Sequence, residues 1–257
     1  MKTTNLKTAA ITALFGIGLL AGCTNSTTNQ KTSDMKTLNL TQEWDKTFPQ
    51  SDKVNHSKVT FTNRYGITLA ADMYVPKNAT GKLPAIAVCG PFGAVKEQAA
   101  GLYAQTMAER GFLTVAFDPS YTGESGGEPR YVVSPDINTE DFSAAVDFLA
   151  TNDKVDPEQI GIIGICGWGG LAINAAAADP RIKATVASTM YDMSRVNANG
   201  YFDADDSAEA RNALRKKLAV QRTEDFRNGF PKPGGGVPDE LPADAPQFFK
   251  DYHAYYK

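Results

Sequence analysis

An apolar run, Ile160-Gly161-Ile162-Ile163-Gly164-Ile165, stops at Cys166, which is framed by glycines, and a small-residue run from Leu171 to Ala178 follows at once. The first run reads as a buried strand and the second as a helix, with a sharp turn between them. Glycines around such a turn permit both its strain and a close helix–strand approach. The apex carries a nucleophile-type side chain at a helix N-terminus, where backbone N–H groups and the helix dipole favour a thiolate. What the chain lacks is as informative. Its 257 residues include two histidines, His56 and His253, and neither stands where such a site would take its base.

Around this elbow the pattern is that of an α/β fold. Residues 58–62 and 67–75 are β-like runs joined at Asn63-Arg64-Tyr65-Gly66, which predicts an antiparallel hairpin closed by Pro76. Strand and helix then alternate: a strand at 85–89, a helix at 96–110 ended by Gly111, and a strand at 112–117. The helix at 139–152 places Phe142, Ala145, Val146 and Leu149 on one face. The elbow strand and its helix follow, stopping near Asp179-Pro180, and then a strand at 184–190. Near-continuous apolar strands between helices predict a mostly parallel sheet covered on both faces. After Asp192 the rhythm breaks into a charged helical segment at 207–228, a Pro/Gly-rich breaker at 231–236 and an aromatic segment at 248–256.

The amino terminus belongs to targeting. Lys2 and Lys7 precede an uncharged, mostly apolar run at 9–21, too short to span a bilayer as a mature helix. It ends in Leu20-Ala21-Gly22-Cys23, which looks like a bacterial lipobox. The resemblance implies a signal peptide over 1–22 and a lipidated Cys23, so that the chain is anchored to the cell envelope and faces outside the cytoplasm. The alternative is an ordinary secretory signal with an incidental cysteine. Thr24 after Cys23 gives no inner-membrane retention cue, which favours the outer membrane in a Gram-negative host. Residues 23–40 read as a flexible polar tether, and 41–257 as one domain with a full core. Losing Lys2 and Lys7 takes the net charge from −3 to −5, which argues against nucleic acid as a partner. Cys89 lies in an apolar run and reads as a core thiol, and no Cys/His spacing suggests a metal.

Several blocks in order, namely 63–70, Gly90-Pro91-Phe92-Gly93-Ala94-Val95-Lys96-Glu97-Gln98, 118–127 and the elbow at 164–170, resemble bacterial α/β-hydrolases of the dienelactone-hydrolase-like type, including peptidase-like members. The resemblance spans residues 59–257. It implies Cys166 as nucleophile, Gly167 as one oxyanion-hole donor and, because Pro91 has no N–H, Phe92 as the other. Trp168 departs from the family pattern, which has a small residue two beyond the nucleophile, and is expected to narrow or reshape the pocket. Gly123-Glu124-Ser125-Gly126-Gly127 also fits G-x-S-x-G, but it leads to Glu128-Pro129-Arg130 rather than a helix, so Ser125 reads as loop structure.

The base is the difficulty. Family order runs nucleophile, acid, histidine, which excludes His56. His253 is a candidate base or else a surface or packing histidine. Asp192 is a candidate acid or else a helix cap. Similar proteins carry acid and histidine on two later strands. No apolar strand follows 190, so residues 193–257 read as a cap-like insertion and the chain as C-terminally truncated. The expected function is hydrolysis of ester, lactone or thioester-type acyl compounds, impaired by loss of the histidine and without a cofactor. The alternative is a non-catalytic surface lipoprotein that keeps a small-molecule pocket.

Overall fold

The computed structural model describes residues 38–257 apart from 233, 235 and 236. The signal segment, Cys23 and nearly all of the tether therefore lie outside the described residues. β1 (Val54–Thr62) and β2 (Thr68–Pro76) form the antiparallel hairpin, with Thr62 opposite Thr68. Its turn is set by Asn63, whose side-chain oxygen accepts the amides of Tyr65 and Ile67 at 3.0 Å each, the local bonding that makes Asn a turn residue. β3 (Leu83–Cys89), β4 (Leu113–Phe117), β5 (Val155–Ile165) and β6 (Ile182–Ser188) run parallel to one another. The sheet order is β1-β2-β4-β3-β5-β6, with β2 antiparallel to β4.

Alternate residues of the parallel strands feed two cores. Ala87, Val115, Phe117, Ile160 and Ile162 pack under α2 (Pro135–Ala150) and α3 (Gly167–Ala178). Ile86, Val88, Ala116 and Ile163 pack under Ala100, Ala104 and Ala108 of α1 (Ala99–Glu109). Burying each large apolar side chain stabilises the fold by about 1.5–3 kcal/mol, so the central strands hold the elbow rigidly. β6 is the edge strand of the sheet, and its Val186 is 51% exposed. Beyond it lie α4 (Met193–Asn199), α5 (Ala208–Asn228) and α6 (Gln247–Tyr256). No helix of the described residues is long and apolar enough to cross a membrane.

Two helix starts differ from the sequence reading. α2 begins at Pro135, not 139, because Pro is pre-shaped for a first helical position and Asn138 Oδ1 accepts the Ser134 amide at 2.8 Å. α1 begins at Ala99, not 96, because Lys96 is drawn into a buried ion cluster instead. In that cluster Lys96 Nζ reaches Glu97 at 2.6 Å, Asp118 at 2.7 Å and Glu124 at 2.7 Å. Lys58 Nζ reaches Glu124 at 2.9 Å and Glu97 at 3.1 Å. Lys46 joins Asp45 at 2.6 Å and Asp72 at 3.1 Å, and His56 Nε2 lies 2.7 Å from Asp72. The segment that follows the tether is tied in as well, through the Thr41 amide on Glu124 (2.6 Å) and the Thr47 amide on the Glu97 carbonyl (3.0 Å).

Taking isolated charges out of water costs several kcal/mol each, so a cluster like this survives only when every member is partnered. Burial acts to raise the Asp72 carboxyl, but the His56 hydrogen bond and the ammonium groups of Lys46, Lys58 and Lys96 outweigh it and hold it below the usual range. Glu124 follows the same balance: against burial, Lys96, the Thr41 amide and Lys58 pull it down to about 2. A carboxyl depressed in the folded state contributes stability above its unfolded pKa and loses it as pH falls through the folded value. Glu124→Gln is therefore expected to cost about 1–2 kcal/mol at pH 7, allowing for solvent screening. Urea unfolding of both proteins at pH 7 and pH 3 should show that deficit fall by more than about half at the lower pH. A deficit unchanged at pH 3 would mean that the ionised carboxylate is not its source.

Candidate active site

β5 ends at Ile165 and α3 begins at Gly167, so the whole reversal falls on Cys166, with φ +59° and ψ −128°. Positive φ is costly for a residue with a Cβ and persists only where the surroundings over-determine it. Here they do. The Cys166 amide donates to the Ser188 carbonyl on β6 at 2.9 Å, while its carbonyl accepts Gly169 at 3.0 Å and Tyr191 at 3.2 Å. With its backbone tied to β6, to α3 and to the chain after β6, Cys166 presents a free, half-buried thiol at the apex.

Close approach of α3 to β5 requires Gly164, where an added Cβ would fall 2.3 Å from the Trp168 carbonyl oxygen and 2.7 Å from Ala172 Cβ. Trp168 does not itself line the cleft. It is 2% exposed, packed edge-on against the cleft residue Phe92 at 5.4 Å and near Phe142 at 6.3 Å. The first turn of α3 points this side chain back at the end of β3. Gly90 makes the room, since a Cβ there would sit 2.9 Å from Trp168 Cβ and Cδ1.

Gly167 and the Phe92 side chain are neighbours. Gly167 opens α3, where the first N–H groups have no intrahelical acceptor. The Phe92 ring stands over Gly167, and the Phe92 amide donates to no backbone acceptor among the described residues. Beside them a cleft of about 440 Å³ is lined by Phe92, Gly167, Leu171, Val133, Met190 and Met193. Its walls are mostly apolar, with Asn174, Asp192, Ser194 and Asn197 adding polar groups, and it opens next to Gly167 without being lined by Cys166, a size and character that suit a small molecule.

The remaining candidates are placed otherwise. Asp192 borders the same cleft, but it caps α4, accepting the Ser194 hydroxyl at 2.6 Å and the Arg195 amide at 3.0 Å. Those bonds, the Ser194 hydroxyl foremost, hold its carboxyl below the usual range. His253, on α6, directs Nε2 at the carbonyls of Pro238 (3.0 Å) and Asp239 (3.3 Å). His56 is held by Asp72. Ser125 is 2% exposed, its hydroxyl donating to the Asp118 carbonyl at 2.7 Å and accepting the Ala70 amide at 2.8 Å. Glu97, Asp118 and Glu124 bring carboxylate oxygens within 4.8 Å of one another, as a metal site would, but the Lys96 ammonium already bonds all three.

Sequence reasoning missed Tyr256. α6 docks on the loop before α1 through Gln98 Nε2 to the Tyr255 carbonyl (2.7 Å), and the Tyr256 ring lies 3.5 Å from where a Gly93 Cβ would be. Burial raises the Tyr256 phenol, with Tyr252 and then Cys166 adding to the shift. The signal was present in the i, i+4 row Phe248, Tyr252, Tyr256, whose successive rings meet at 6.0 and 4.5 Å.

The elbow's dependence on Gly164 is testable without a substrate. Gly164→Ala is expected to destabilise the fold by about 1–3 kcal/mol through overpacking, read as a lower urea midpoint. An unchanged midpoint would mean that α3 is not seated on β5 this closely.

Residues 65–229 match the family model described as X-Pro dipeptidyl-peptidase (S15 family). The uncharacterized protein PA2218 of Pseudomonas aeruginosa is 60% identical over 242 residues, covering 92% of this chain and 65% of that one. Its crystal structure matches with a TM-score of 0.79 at 63% identity, over 86% of this chain and 68% of the other. The thiohydrolase aneE of Aspergillus aculeatus is 35% identical over 133 residues, 52% of this chain and 41% of that one. The α/β hydrolase GrgF of a Penicillium species shares the fold, with a TM-score of 0.50 at 24% identity over 70% of this chain and 68% of its own. The chain thus spans 65% of the length of the Pseudomonas protein and less than half of the thiohydrolase.

Proposed function

Because the chain belongs to the X-Pro dipeptidyl-peptidase (S15) family and has the α/β-hydrolase fold, we propose that it carries an acyl-transfer site with Cys166 as nucleophile. The substrates are esters, lactones or thioesters, matching the thiohydrolase name among its relatives. The observation that carries this reading is the positive-φ apex at Cys166, which sets a free, half-buried thiol at the start of α3 directly before Gly167. The thiolate attacks the acyl carbonyl and a C–S bond forms. The oxyanion is met by the two N–H groups and by the positive end of the α3 dipole. The C–O or C–S bond to the leaving group then breaks, and the leaving group takes its proton from water. A second water hydrolyses the enzyme thioester to a carboxylic acid and restores the thiol.

The placement of the histidines selects among substrates. An amide needs a general acid to protonate its departing nitrogen, and in this chain both imidazoles are engaged elsewhere. Leaving groups that depart as weakly basic anions need no such acid, which favours thioesters and activated esters over peptides. Neither imidazole of the described residues is free to activate a water for deacylation, so in this chain the acyl-enzyme should accumulate. We further infer an envelope-anchored protein lipidated at Cys23, with the small-molecule acyl compound and the membrane as its partners. A second reading, a non-catalytic lipoprotein that binds a ligand in the cleft, is favoured by the same engagement of His56 and His253.

p-Nitrophenyl acetate separates the two readings. The expected result is release of one equivalent of nitrophenol with a single acetyl group on Cys166 by peptide mass spectrometry, then turnover slower by about 100-fold or more. Cys166→Ala should abolish both. Absence of the burst, or a burst that survives Cys166→Ala, would remove the nucleophile assignment and leave the binding reading.

A further inference from the structure

Four residues beyond Phe92, Lys96 fastens its loop to a second loop at two points. Its backbone amide donates to Asp118 Oδ1 at 2.8 Å, and its ammonium donates to Asp118 Oδ2 at 2.7 Å. Asp118 is fully buried, directly after β4, and its Oδ2 also accepts the Glu124 amide at 2.9 Å. Within the loop from Gly90 to Gln98, Ala94 donates to the Pro91 carbonyl at 3.2 Å, Gln98 to the Val95 carbonyl at 3.0 Å and the Val95 amide to Gln98 Oε1 at 3.1 Å. None of these bonds is made by Phe92. The loop is held by the sheet at Cys89, by the Phe92 ring on Trp168, by Tyr255 and Tyr256 of α6 at Gln98 and Gly93, and by the ion cluster at Lys96, of which the last is the one made of buried charge.

The composition of the cluster suits that task better than an apolar anchor would. Carboxylates from Asp45, Asp72, Glu97, Asp118 and Glu124 surround three ammonium groups, so no lysine can leave without stranding buried negative charge. A geometry enforced by fixed donor–acceptor distances holds a hydrogen-bond donor to a few tenths of an ångström. Oxyanion stabilisation depends on placement that close.

We propose that Lys96 is a positioning residue for the oxyanion hole: its double attachment to Asp118 holds the loop that carries the Phe92 amide at the height the tetrahedral intermediate requires. The proposal rests on the reading of Cys166 as an acyl-accepting nucleophile. It assigns the buried cluster a role in the reaction, in addition to holding the hairpin, the residues around 41–48 and the loop after β4 together.

The test compares two reactions of the same thiol. Acetylation of Cys166 by p-nitrophenyl acetate passes through an oxyanion, whereas alkylation by iodoacetamide displaces iodide directly and needs no oxyanion hole. In Lys96→Met, acetylation is expected to fall about 10- to 100-fold, with alkylation changed less than about threefold. Asp118→Asn, which keeps the shape and removes the charge, should move the ratio the same way and covers the case in which Lys96→Met does not fold. Hydrogen exchange of peptides spanning 90–98 should rise in both variants. Equal loss of both reactions would assign Lys96 to general stability alone and overturn the proposal, as would unaltered acetylation or unaltered exchange. If the wild-type thiol is alkylated but never acetylated, the Cys166 reading itself has failed. The exchange measurement then still decides whether Lys96 anchors the loop.

Discussion

The single-residue reversal at Cys166 governs how the other parts can be arranged. A turn that short leaves the helix no freedom to swing, so α3 must lie directly on β5, and every atom between them has to be small. Gly164 meets that demand from the strand side, and Gly90 meets it from β3, where Trp168 enters the core. The cost of a positive φ at a residue with a Cβ is of order 1–3 kcal/mol. It is offset by hydrogen bonds from Cys166 to three separate stretches of backbone and by the burial of Trp168 against Phe92 and Phe142. Strain and packing are thus located at the same point, which fixes the backbone that carries the thiol.

Charge does for the loops what apolar packing does for the strands. The loop after β3 and the loop after β4 bury some apolar side chains, Phe92, Ala94 and Tyr121 among them, but they meet each other through charge, and both border the candidate site. Lys96 and Asp118 join them through a buried pair, and Glu97, Glu124, Lys58 and Lys46 extend the join to the hairpin and to the residues that follow the tether. A buried ion network is seldom worth more than an apolar one in net stability, since desolvation consumes most of the attraction. Its advantage lies in directionality, because hydrogen-bonded charges fix distances where hydrocarbon contacts only fill volume.

The elbow, the hairpin and the alternating order of strands and helices were legible because each is written in short-range pattern. Strand runs, a turn-forming Asn63 and the small residues of α3 declare themselves within about ten positions. The boundaries that slipped did so for identifiable reasons. Ser134-Pro135 opens α2 ahead of its apolar face. Lys96 has the intrinsic preference of a helical residue but is captured by carboxylates from Asp118 and Glu124, far along the chain. The reading of Asp192 as either acid or cap was open in the sequence, and the structure shows the cap bonds to Ser194 and Arg195.

By itself, then, the sequence determined the fold class, the strand–cysteine–helix apex and the scarcity of histidine, because composition and local periodicity are properties of neighbouring residues. Only the tertiary structure decided which way Trp168 points, that both imidazoles are spent on Asp72 and on the Pro238 and Asp239 carbonyls, and that Tyr256 returns to the edge of the site. It also decided that three lysines sit in the interior. Those outcomes depend on groups brought together from distant parts of the chain, where the balance of desolvation against partnering is struck only once the sheet has formed.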